Sequence, residues 1–96
     1  MARARGLPAT IWVGPHLKVS VVMASQATMH EAMGDEEDAS PLDGCWMAAD
    51  PPNGCVGTIY IDTAIRKLDE RWSVLRHELM HALHDISDWH TKGILQ

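Results

Sequence analysis

The chain has no phenylalanine and only five aromatic residues, four Trp and one Tyr, so aliphatic side chains and six Met must fill its core. Its two cysteines, Cys45 and Cys55, are too few for a disulfide framework. With no secretory leader in view, they are expected as reduced thiols in a cytoplasm. No apolar run approaches the ~18 residues of a membrane span, so no membrane partner is expected. Basic residues are scarce as well. Eight Lys and Arg against 13 Asp and Glu leave a net charge of −5, which argues against a general nucleic-acid footprint. The one basic cluster, "MARAR", has no apolar segment behind it and reads as a solvated terminus.

What remains is a 96-residue sequence, 46% apolar and 22% charged, of a size to build one modest core. It is expected to form a single domain over residues 1–96. Residues 10–23, "TIWVGPHLKVSVVM", are rich in β-branched side chains and broken by Gly14-Pro15, which predicts a hairpin. Leu17, Val19 and Val21 alternate with His16, Lys18 and Ser20, giving that hairpin one buried face. "ASQATMHEAM" predicts a short helix ending at Gly34. Residues 35–43, "DEEDASPLD", carry five acids without periodicity and read as a surface loop. A second hairpin is expected from a strand over residues 45–48, a turn over 50–54 and a strand over 56–61. Cys45 and Cys55 flank that turn, and a bond between them would require Cα atoms within ~7 Å.

Beyond Asp62 the period changes. Trp72, Leu75, Leu79, Ala82, Leu83 and Ile86 recur at helical spacing, and Asp69 can cap, predicting a helix over residues 69–86. A helical wheel puts His77, His81, His84 and Asp88 together, on the face opposite that stripe. Positions i and i+4 share a helix face, so His77 and His81 can aim imidazole nitrogens at one ion about 2 Å from each. Glu78 projects roughly 100° around the axis, poorly placed as a ligand and well placed as a general base. Zinc bound by three protein groups lowers the pKa of its water to roughly 7 and polarises a carbonyl, so a peptide bond could be hydrolysed with Glu78 moving the proton. His-Glu-x-x-His arises by chance in roughly one such composition in fifty, and its position on an amphipathic helix behind a strand adds weight. A second "HE", His30-Glu31, has Gly34 where the second His would stand and reads as ordinary surface. Trp72 and Met80 read as packing; Trp12, Trp46 and Trp89 could line a cleft or cover the core.

His77-Glu78-Leu79-Met80-His81 resembles the defining helix of the zincin metallopeptidases. "GTIYID" followed by "VLRHELMHALHD" is similar to small phage-encoded metallopeptidases of the SprT-like or ImmA/IrrE-like kind, over residues 56–90. The resemblance implies a zinc peptidase with His77 and His81 as ligands and Glu78 catalytic, acting on peptide or protein substrates in a host cytoplasm. It also implies a sheet whose edge strand, within residues 56–61, pairs with an extended substrate.

The third ligand does not follow any subgroup. No Glu follows Glu78, and the position of a downstream third His holds Ser87. Asp88 can supply it if the helix bends near Ser87, with His90, His84, Asp85 or another subunit as alternatives. The expected fold is a small α+β domain, an antiparallel sheet packed on one long active-site helix. The alternative is a non-enzymatic structural or regulatory domain with a structural metal site or a decayed motif.

Overall fold

The β-branched segments do form strands. The structure, a computed structural model, describes residues 2–3, 6–34, 40–49, 52 and 54–94. After a two-residue strand β1 (Ala2–Arg3) come β2 (Thr10–Gly14) and β3 (Leu17–Ala24), an antiparallel hairpin turning at Pro15-His16. Ser25 caps helix α1 (Gln26–Met33), its hydroxyl accepting from the Thr28 amide, and Gly34 ends it at a left-handed φ of 73°. The second hairpin is β4 (Gly44–Ala48) and β5 (Cys55–Asp62). Most of its expected turn, like most of the acidic segment, lies outside the described residues. The chain then enters α2 (Leu68–Thr91).

Five strands occupy four positions, β1 and β2 both pairing with β3, then β5, then β4. The sheet is mixed, not antiparallel as expected, because β3 and β5 run parallel from Val19 beside Gly57 to Ala24 beside Asp62. Alternation within each hairpin identifies a buried face but not how two hairpins dock. The more apolar strand of each goes to the centre, where neighbours cover both of its edges. β5 is therefore interior, and the edge expected within residues 56–61 belongs, among the described strands, to β4.

α2 packs on the face formed by Val19, Val21, Met23, Ile59 and Ile61, burying Leu75 and Ala82 there. On the other face α1 places Met29 against Ala24 and Cys45. The period-2 alternation of β4 sends Gly44 and Trp46 toward α2 and Cys45 and Met47 away. In the β4–β5 ladder Cys45 lies opposite Tyr60, five residues from Cys55, or about 16 Å along the strand. That is far beyond disulfide reach, and no disulfide joins the two cysteines. No helix among the described residues is long and apolar enough to cross a membrane.

Candidate metal centre

The buried face of α2 is narrower than its apolar stripe and rotated from it. Leu75, Glu78 and Ala82 are buried, while Trp72 and Leu83, expected to pack, are exposed. Met80, also expected to pack, is 71% exposed and faces away from the sheet. The three histidines His77, His81 and His84 are exposed, and His81 and His84 border the same opening as Glu78.

His77 and His81 converge as the i, i+4 spacing requires. Their Nε2 atoms are 3.3 Å apart, with the rings edge to face at 81°. Two nitrogens each about 2.0–2.1 Å from one tetrahedral ion lie about 3.3–3.4 Å from each other, so the spacing of the pair matches that of two ligands on one zinc. The Glu78 carboxylate stands 4.0 Å from His77 Nε2. Burial raises its pKa above 4.5, opposed by the two neighbouring histidines.

Gly44 makes this approach possible. A Cβ there would sit 2.6 Å from Val74 Cγ1 and 2.7 Å from the Tyr60 carbonyl oxygen, with Glu78 Cγ at 3.4 Å. The absent side chain lets α2 rise against the edge strand until Glu78 lies beneath its backbone. Two openings meet at Glu78. One, of about 310 Å³, has Met33, Leu42, Cys45 and Trp46 on its strand side and His81 on its helix side. The other, of about 290 Å³, is bordered by Asp43, Ser73 and His77.

The other proposed ligands stand apart from the pair. α2 does not bend near Ser87; it continues to Thr91, whose hydroxyl donates to the Ser87 carbonyl at 3.0 Å. Asp88 is therefore two turns beyond His81, about 10 Å along the axis, and its carboxylate pairs with Lys92 Nζ at 2.9 Å. His90 lies farther still, exposed in the last turn. Asp85 accepts a 2.8 Å hydrogen bond from Trp46 Nε1. His84 is exposed at the larger opening. Among the described residues, no three His, Cys, Asp or Glu side chains form a group that could hold a metal ion.

Other residues of the site gave no signal in the sequence. Met33, Leu42 and Asp43 sit in or beside segments without chemical pattern, and only topology brings them to the helix. Gly44 offered a faint one, a glycine opening an alternating strand. His30, read as surface, is half-buried and meets Gln26 Oε1 at 3.2 Å. No family model matches the chain, and neither a curated protein nor a solved structure does.

Proposed function

We propose that the chain is a zinc-dependent peptidase in which His77 and His81 supply two of the zinc ligands and Glu78 is the general base. The observation that carries this reading is the 3.3 Å separation of the two Nε2 atoms with the Glu78 carboxylate beside them under the outer edge of β4, which no described strand pairs. Zinc, when bound, would supply the positive charge that polarises the scissile carbonyl and acidifies a water.

Glu78 is suited to its part by its surroundings. A carboxylate partly withdrawn from water is a stronger base than one on the surface, so it can take a proton from an attacking water and return it to the leaving amine. Its shielding also limits the bulk water that would compete for it.

The edge strand can hold the substrate. The Asp62 amide donates to the Asp43 carbonyl at 2.8 Å and the Ala49 amide to the Val56 carbonyl at 2.9 Å. Antiparallel alternation then turns the backbone groups of Cys45 and Met47 inward, to β5, and those of Gly44, Trp46 and Ala48 outward. An extended peptide pairing with those three residues would pass over Glu78 at Gly44.

The test is cleavage of a denatured protein substrate by wild type, Glu78→Gln and chelated protein. Turnover is expected only in wild type, with a loss of at least about a hundredfold for Glu78→Gln, the lower end of a general base's contribution. If wild type binds zinc but cleaves no better than Glu78→Gln, the site is structural and the non-enzymatic reading takes its place.

A further inference from the structure

We propose that the larger opening beside Glu78 is an apolar side-chain subsite walled by Met33, Leu42 and Trp46, and that it selects peptides carrying a large apolar residue there. The proposal rests on the peptidase reading for the path of the peptide along β4, and names which peptides that path accepts.

Met33 is the starting observation. On α1, Met29 is fully buried against Ala24 and Cys45, and Met33, one turn later on the same face, is 43% exposed. α1 thus carries its apolar face past the β4 edge and ends at Gly34. The side chain reaches no core there; it borders the opening shared with Glu78 and His81.

The other two walls are held rigidly. Leu42 is gripped by the Gln26 amide, which donates to the Leu42 carbonyl and accepts from the Leu42 amide at 2.9 Å. Gln26 is itself fixed by donating to Asp62 Oδ2 at 2.8 Å. Trp46 is pinned at its nitrogen by Asp85, and its ring lies over Gly57, where any Cβ would meet it. A wall that need not be ordered on binding costs the ligand little, which favours a selective pocket over a passive groove.

The opening is also divided by chemistry. Its helix side presents Glu78, His81 and Asp85, and its strand side presents the apolar walls. The outward backbone groups of Trp46 bring a bound strand to this opening, which spans the β4 edge from Trp46 on the α2 side of the sheet to Met33 and Leu42 on the α1 side. A side chain of that strand would lie between Met33 and Trp46, and at about 310 Å³ the space admits a Leu or a Phe.

The experiment measures binding to the Glu78→Gln protein, which separates the subsite from turnover. Two peptides identical except for a central Leu or Gly are titrated against it by calorimetry. The Leu peptide is expected to bind at least about tenfold tighter, the scale of discrimination an apolar pocket provides. Adding Met33→Glu should erase the preference. Adding Leu83→Glu, an exposed position on the helix away from the opening, should leave it intact. Indistinguishable binding of the two peptides, including none, overturns the proposal, as does a preference that survives Met33→Glu. Wild type that binds selectively but never cleaves refutes the peptidase reading alone. Wild type that cleaves Leu and Gly peptides equally refutes the subsite alone.

Discussion

Among the charged residues described, Glu78 alone is buried, at 9% exposure, and the burial has a measurable consequence apart from catalysis. Its pKa in the fold is raised above the value of 4.5 that an unhindered Glu carries. The folded state then holds this proton more tightly than the unfolded chain. Stability from this group is fully present below pH 4.5 and is lost as pH rises through the raised pKa. At neutral pH the metal-free protein carries the cost of a partly desolvated carboxylate, which a glutamine does not. Chelated Glu78→Gln is therefore expected to melt above chelated wild type at pH 7, with the gap closing as the pH falls toward 4.5. Thermal melts of the two proteins across that range check it; a gap independent of pH would show that Glu78 is not desolvated.

At the scale of elements, the approach of α2 to β4 depends on a missing side chain. Gly44→Ala places a methyl against the Val74 side chain and against the Tyr60 carbonyl, and the second of these is backbone that cannot swing away. Overpacking of this kind costs about 1–3 kcal/mol, and the relief available is for the helix to move outward. Gly44→Ala is expected to lower stability in chemical denaturation by that amount and to reduce turnover further than the stability loss explains, because Glu78 moves with the helix. Unchanged stability would mean that the two elements are not in contact at Gly44.

The elements themselves were legible because their signals are local. Gly14-Pro15 marked the first turn, Gly34 the end of α1, and the change of period after Asp62 announced α2. The end of α2 was misplaced because Ser87 and Asp88 are polar and break the apolar rhythm. In the fold Trp89 packs against the core and draws the helix on, and Lys92 pairs with Asp88 across its last turn. That extension holds Asp88 away from the histidines. The pairing of β3 with β5 was illegible for a related reason: parallel neighbours leave no turn in the sequence to mark them.

At the scale of the whole molecule, the cleft is assembled from Met33, residues 42–46 and residues 78–85, three stretches that meet only because β4 closes the sheet beside α2. "HELMH" could be read as two ligands and a base because one helix sets all three positions. The apolar walls could not be read, since each is an ordinary hydrophobic residue until the topology places it. The peptidase reading of the cleft depends on a zinc ion that His77 and His81 would hold. The direct test is zinc per chain, by inductively coupled plasma mass spectrometry, for wild type, His77→Ala, His81→Ala, Glu78→Gln and Asp88→Ala. One zinc per chain is expected in wild type and in Glu78→Gln, with loss in both histidine variants. Retention in Asp88→Ala is expected from its pairing with Lys92, two turns from the histidines. Wild type without stoichiometric zinc, or histidine variants that keep it, would contradict the assignment.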